Sequence, residues 1–182
     1  MGYPNVLLNR AGLLKVVQTP DGEQVDLENS HAFAMVDHQV AHIFCIDEQT
    51  AQQSQRLLLA DPAIAKVVSR DEAFCPGMGH HRAGERIALA RRDAWLAYQW
   101  WEPGQAPRNV GAKCGYDPCE HLDAANPQPE SVRASRGLTD VATADQAIIA
   151  ATFKLPSGAI KTTDLAGIVK AAMFERERER VG

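Results

Sequence analysis

The feature that most constrains the fold of this chain is an apolar stretch, residues 32–46, that carries Asp37, His38 and His42 near its centre. Apolar residues on both sides of this polar centre predict one long strand in a hydrophobic core. A carboxylate and two imidazoles there need partners, because burying polar groups without hydrogen bonds costs free energy. The stretch is therefore the first candidate for a functional site.

Composition and charge limit the classes of protein to which the chain can belong. Its 182 residues are 45% hydrophobic and carry a formal net charge of -4. This length suits one ordinary domain, or a domain with a small appendage. The negative charge argues against a nucleic-acid duplex as partner. The sequence has no run of about 20 apolar residues, so we expect no membrane-spanning helix and a cytoplasmic location.

Hydrophobic periodicity and turn residues predict the secondary structure along the chain. The predicted elements are helices at 6–14, 50–59, 143–153 and from Thr163 onward, a hairpin at 15–27, and strands at 32–46, 65–69 and 85–90. Asp47 is the predicted cap of the second helix, and a Pro-Asp-Gly turn closes the hairpin. This order predicts an α+β fold, with a mostly antiparallel sheet, helices packed on one face and a helical C-terminal segment.

Five segments resemble, in the same order, motifs of the bacterial type I phosphodiesterase/nucleotide pyrophosphatase family of the alkaline phosphatase superfamily. They lie at 3–14, 30–44, 77–85, 93–101 and 115–118. Their signatures include Asp-His-Gln-x-x-His, Gly-His-His-Arg-Ala-Gly-Glu, Asp-Ala-Trp-Leu-Ala-Tyr and Gly-Tyr-Asp-Pro. Five ordered matches indicate a common origin.

The resemblance implies a domain organisation and sets a limit on the chemistry. It implies a cap-like α+β domain at 1–125 and a diverged, mainly helical segment at 126–182 packed on it. The family's metal-binding Asp and its Thr or Ser nucleophile lie upstream of the matched region. Hydrolysis by this chain is therefore not expected, and an enzymatic activity, if present, would be that of a metal-dependent phosphoric ester hydrolase.

The polar centre of the long strand supplies candidate metal ligands. Asp37, His38 and His42 are ligand types that suit a divalent zinc or manganese ion, and His38, His42 and His80 are candidate acid–base groups. In a regular strand His38 and His42 share a face about 13 Å apart, and Asp37 lies on the other face. A single-ion site therefore requires a bulge near Gln39. The alternative is that Asp37 and His42 make structural hydrogen bonds.

A glycine-rich loop supplies candidate ligand-binding residues. His80, His81 and Arg82 lie in it, and loops carry binding residues more often than cores do. Arg82 can hold a phosphate or a carboxylate through two parallel hydrogen bonds. The alternative is an ion pair between Arg82 and Glu85 within the turn.

Aromatic and cysteine residues give two further candidate sites. Trp95 and Tyr98 can stack on the base of a nucleotide-like ligand, although packing in the core is the alternative. Cys114 and Cys119, with His121 nearby, form a weak zinc pattern because their Cys-x4-Cys spacing is wider than that of most paired ligands.

Two functions follow from these residues and from the resemblance. In the first, the chain is a stand-alone relative of the family's cap region that binds a metal or a small phosphate-bearing molecule. In the alternative, it is a non-catalytic binding or assembly module that forms a homo-oligomer or covers a partner protein. Exposed apolar surface and symmetric self-association would favour the second.

Overall fold

The computed structural model describes residues 1–72, 79–105, 113–116, 132, 135–138, 142 and 146–181, and the side chains of these residues up to 174. The chain divides into two compact units, Met1–Asp140 and Val141–Gly182. In the described ranges no helix has the length and apolar character needed to cross a membrane.

The first unit combines two helices with two sheets. Its elements are α1 (Pro4–Arg10), β1 (Val16–Thr19), β2 (Gly22–Val25), β3 (Ala32–Asp37), β4 (Val40–Cys45), α2 (Glu48–Leu59), β5 (Ile64–Ser69), β6 (Arg86–Ala90) and β7 (Gly115–Tyr116). Strands β1 and β2 form a separate antiparallel hairpin. The other five strands form a sheet in the order β5-β6-β4-β3-β7, antiparallel except for the β3–β7 pair. The predicted α+β fold is confirmed.

Alternation along the strands places the core on one face of the five-stranded sheet. In β3, Ala32, Ala34 and Val36 are buried, and in β4 Ala41 and Ile43 lie beside them. These residues belong to the same apolar cluster as residues of α1 and α2, and both helices contact the sheet. The opposite face carries a smaller buried cluster at its β5–β6 side. The side chains of Asp37 and His42 leave the sheet on this opposite face.

One long strand at 32–46 is a wrong prediction, because the stretch is a hairpin. Strands β3 and β4 pair with Asp37 opposite Val40, so that the chain reverses at His38 and Gln39. His38 makes this possible by adopting a φ of 56°. The turn lacks the Asn-Gly or Asp-Gly sequence that is typical of two-residue hairpin turns. Because apolar residues lie on both sides of it, the sequence pattern resembles one continuous strand.

The second unit contains a short 3-10 helix, Thr162–Asp164, followed by α3 (Leu165–Val181). The predicted C-terminal helix is therefore confirmed. The predicted helix at 143–153 is wrong for residues 146–153, which are not helical, and residues 143–145 lie outside the described ranges. Ile148, on its supposed apolar face, is 96% exposed, and a helix whose apolar face is not packed has little stability.

Candidate functional site

The turn between β3 and β4 is fixed by a buried glutamine side chain. Gln39 Nε2 donates to the carbonyl oxygen of Ala94 at 2.9 Å and lies 3.3 Å from those of Arg91 and Arg92. The backbone of Gln39 also accepts from Ala90 N–H at 2.9 Å. These hydrogen bonds hold the turn against the chain at the end of β6 and beyond it. They thereby fix the position of His38, the residue before Gln39.

His38 is held in an uncommon backbone conformation with a shielded side chain. Its φ of 56° lies in the left-handed region, which few residues other than glycine adopt. Its side chain is 12% exposed, and its ring lies 5.0 Å from the ring of Tyr116 between centroids. Its backbone carbonyl accepts from Leu96 N–H at 2.7 Å. Strain of this kind persists where the surroundings enforce it, and it is frequent at functional sites.

The two ring nitrogens of His38 face different groups. Nδ1 lies 3.0 Å from Ser135 Oγ, within hydrogen-bond distance. Nε2 is buried without a hydrogen bond, and Asp37 Oδ1 lies 3.8 Å from it. Asp37 Oδ1 in turn accepts from Arg136 Nη2 at 3.0 Å. Serine, histidine, aspartate and arginine therefore meet at one turn of the sheet.

The surroundings of His38 favour the neutral form of its imidazole by lowering its pKa. Burial is the largest effect that lowers the pKa of His38, and the positive charge of Arg136 lowers it further. Asp37 acts in the opposite direction, but with the smallest effect of the three.

His42 lies apart from this group on β4. It pairs across the sheet with Met35 on one side and with Ile87 on the other. Burial lowers the pKa of His42, and its Nδ1 accepts a long hydrogen bond, 3.4 Å, from Gly84 N–H. This contact connects His42 to the loop that carries His80 and Arg82.

The His80–Arg82 loop has an exposed rim and an anchored base. The side chains of His80, His81 and Arg82 are exposed, and the two imidazole rings lie 4.0 Å apart between centroids. His80 accepts from Ala83 N–H through its carbonyl at 2.8 Å. Gly84 packs on the backbone of β4, where an added Cβ would lie 2.6 Å from Ile43 N.

Glu85 is not the partner of Arg82. Its carboxylate forms an ion pair with Arg70, and its Oε2 accepts from Cys45 N–H at 2.8 Å. Within the described part of the chain no carboxylate pairs with the Arg82 guanidinium. The alternative in which Arg82 pairs with Glu85 is therefore wrong.

Trp95 and Tyr98 lie in the interior of the first unit. Each side chain is 6% exposed. Trp95 packs with Ala97 in a small cluster, and Tyr98 belongs to the main core. This is the packing alternative, and stacking on a ligand stays a prediction without structural support.

The described residues do not assemble a metal site. Among them, no three His, Cys, Asp or Glu side chains lie close enough to hold one ion. Asp37 and His38 approach each other, but the hairpin places His42 further along β4. Of the weak zinc pattern, Cys114 is a buried free thiol, whereas Cys119 and His121 lie outside the described residues. The zinc or manganese site thus stays a prediction.

Sequence reasoning missed Ser135, Arg136 and Tyr116 at the turn. Tyr116 lies in the Gly-Tyr-Asp-Pro signature, but this signature does not reveal that β7 pairs with β3. Ser135 is 97 positions away from His38, and no local pattern marks it.

Comparison with known proteins adds no identification. No family model, no curated protein and no solved structure matches this chain. The resemblance to the phosphodiesterase/nucleotide pyrophosphatase family therefore stays a prediction from the motifs.

Proposed function

We propose that this chain is a cytoplasmic binding protein for small phosphate-bearing molecules, and that the His80–Arg82 loop holds the phosphate. The observation that carries the proposal is that the Arg82 guanidinium has no carboxylate partner among the described residues. It is exposed, and the nearby Glu85 is already engaged by Arg70 and by Cys45 N–H. An arginine fork without an internal carboxylate is suited to bind a phosphate through two parallel hydrogen bonds.

The hydrogen bonding of His80 adds a donor beside this arginine. His80 Nδ1 accepts from Arg82 N–H at 3.2 Å. A neutral imidazole that accepts through Nδ1 carries its proton on Nε2, which is then a donor for an anionic oxygen. His81 lies against His80 and brings a second imidazole to the same rim.

The residues that follow Arg82 in the loop are held in place in the absence of a ligand. Ala83 and Gly84 are buried, and Gly84 N–H reaches His42 Nδ1. A binding site on an anchored loop loses less conformational entropy on binding than a mobile one does. Binding through Arg82 and His80 requires neither a metal ion nor a nucleophile.

Titration calorimetry with phenyl phosphate in the presence of EDTA tests the proposal. We expect the wild type to bind and Arg82→Ala to bind at least about tenfold more weakly, which corresponds to about 1.4 kcal/mol. Arg82→Lys should bind with intermediate affinity, because an ammonium group does not form the bidentate contact.

Arg56→Ala is the matched control, since it removes the same charge from an exposed position of α2. It should leave the affinity unchanged. Equal affinity of the wild type and Arg82→Ala, or no binding by the wild type, would overturn the proposal.

A second candidate function is self-association through the second unit, and exposed apolar side chains favour it. Ile148 is 96% exposed, Met173 65% and Phe174 56%. Phe153, Leu165 and Ile168 line a neighbouring cavity of about 540 Å³. Apolar surface of this kind marks interaction sites on soluble proteins, and a second copy of the chain is the partner always present.

Sedimentation equilibrium over a range of protein concentrations tests this second function. We expect the wild type to associate and Met173→Lys to shift the equilibrium toward the monomer. Ser157→Lys is the control, because it places the same charge at an exposed polar position. A monomeric wild type at high concentration would exclude self-association.

A further inference from the structure

The β3–β4 turn brings together a serine, a histidine and an aspartate in an order that nucleophilic catalysis uses. Ser135 Oγ lies 3.0 Å from His38 Nδ1, and Asp37 Oδ1 lies 3.8 Å from His38 Nε2. Ser135 is exposed, whereas the His38 side chain is 12% exposed. The hydroxyl is accordingly accessible, and the imidazole behind it is shielded from water.

We propose that Ser135 is a nucleophile for carboxylic esters, with His38 as its general base and Asp37 as the residue that positions the imidazole. This activity is separate from phosphate binding at the His80–Arg82 loop. Arrangements of this type are recognised by geometry and role rather than by the order of residues along the chain.

The position of Asp37 favours the tautomer that this role needs. A carboxylate only accepts hydrogen bonds, so the nearby Nε2 is favoured as the nitrogen that carries the proton. Nδ1 is then unprotonated and accepts from the Ser135 hydroxyl. The 3.8 Å between Nε2 and Asp37 Oδ1 exceeds a hydrogen bond, but such contacts often tighten only when substrate binds.

The conformation of the turn supports a functional role for His38. Its φ of 56° is unfavourable for a residue with a side chain, and Nε2 is buried without a hydrogen bond. The positive φ and the unbonded Nε2 both cost free energy, which is unexpected for a residue that only connects two strands. Both features are consistent with an imidazole ring that is kept in a fixed orientation to act as a general base.

The reaction balances without a metal or a redox partner. Ser135 Oγ attacks the ester carbonyl carbon, and its proton passes to His38 Nδ1. The C–O bond to the alcohol breaks, and the departing alkoxide takes the proton from His38. Water then attacks the acyl-serine with His38 again as base, which releases the acid and restores the serine. Asp37, whose Oδ1 accepts from Arg136 Nη2, stabilises the imidazolium formed on the way.

A fluorophosphonate probe on the full-length protein tests the nucleophile. Attack by Ser135 Oγ forms an O–P bond and releases fluoride, so peptide mass spectrometry should find one adduct, on Ser135. Ser135→Ala should give none, whereas Ser157→Ala, which removes another exposed serine, should label like the wild type.

His38→Asn tests the base without removing the turn, because asparagine tolerates a positive φ. We expect labelling of Ser135 about 100-fold slower than in the wild type, a typical contribution of a general base. Circular dichroism checks that the variant is folded. No adduct on wild-type Ser135, or equal rates in the wild type and a folded His38→Asn, would overturn the proposal.

Asp37→Asn tests the positioning role through the tautomer itself. Nitrogen-15 spectra of the wild-type imidazole should show the proton on Nε2, and in Asp37→Asn the proton should move to Nδ1 while labelling slows. A purely structural carboxylate would leave the tautomer unchanged. A wild-type ring with its proton on Nδ1 would contradict the proposal.

Discussion

Two glycines with positive φ show that the cost of adding a side chain depends on the atoms around the position. Gly115 has a φ of 125°, and a Cβ there would lie 2.0 Å from Val36 O, because β7 lies directly against β3. Gly104 has a φ of 80°, but a Cβ there would meet nothing within 4 Å. The first position combines backbone strain with a steric overlap, and the second has strain alone.

We therefore expect Gly115→Ala to lower the free energy of unfolding by about 3 kcal/mol. Gly104→Ala should lower it by about 1 kcal/mol, the cost of a side chain in the left-handed region. Urea denaturation of both variants and the wild type measures the difference. Equal losses at the two positions would show that β7 does not approach β3 as closely as in this structure.

Two thiols, the half-buried Cys45 and the buried Cys114, make the stability of the protein depend on pH in the alkaline range. Burial raises the pKa of Cys45 and that of Cys114 to about 11, above the ordinary value of 9.0. The unfolded chain therefore loses these protons at lower pH than the folded chain. The stabilisation is fully present below pH 9 and is lost as the pH rises from 9 toward 11.

Cys114→Ala should therefore have a flatter stability profile than the wild type between pH 9 and pH 11. Guanidinium denaturation at several pH values measures both profiles, and their difference removes the contribution of lysines and tyrosines. Cys45→Ala should behave similarly. Parallel profiles would mean that the Cys114 thiol is accessible to water in the folded protein.

At the scale of single residues the candidate site was predictable only in part. Asp37 and His38 stood out because polar residues interrupt an apolar stretch. Ser135 and Arg136 did not, because their relation to the turn depends on tertiary structure and not on a local pattern. The role of Arg82 was left undecided by the sequence, since only the structure shows that Glu85 pairs with Arg70.

At the scale of elements, the sequence predicted helices and strands correctly where a turn or a helix cap has characteristic residues. The Pro-Asp-Gly turn and the Asp47 cap predicted β1–β2 and the start of α2 correctly. The β3–β4 hairpin was missed because its turn depends on Gln39, whose side chain binds carbonyls of 91–94. Tertiary hydrogen bonds, rather than turn-forming residues in the sequence, therefore stabilise this turn.

The cap of α2 can be tested directly. Asp47 accepts from Thr50 N–H at 2.7 Å through its side chain. Asp47→Ala should lower the free energy of unfolding by about 1 kcal/mol, a typical value for a lost cap. Asp47→Asn should lose less, because asparagine also caps helices. Urea denaturation measures both, and equal losses would show that the charge of Asp47, rather than its hydrogen bond, stabilises α2.

For the whole molecule, the distribution of buried apolar residues predicts where the stability resides. Every apolar side chain that the structure places in a core cluster belongs to the first unit, between Leu8 and Cys114. The described apolar residues of α3 are exposed or only partly buried. Since apolar burial is the main favourable contribution to folding, the second unit contributes little to it.

A chain that ends at Asp140 should therefore unfold cooperatively, with a free energy within about 1 kcal/mol of the full-length value, since exposed segments have small effects on stability. Urea denaturation compares the two chains, and sedimentation shows whether the shorter one has also lost self-association. A shorter chain that is folded and monomeric would assign stability to the first unit and assembly to the second. A shorter chain that fails to fold would show that residues after Asp140 complete the core, and the exposed apolar side chains of α3 would then need another explanation.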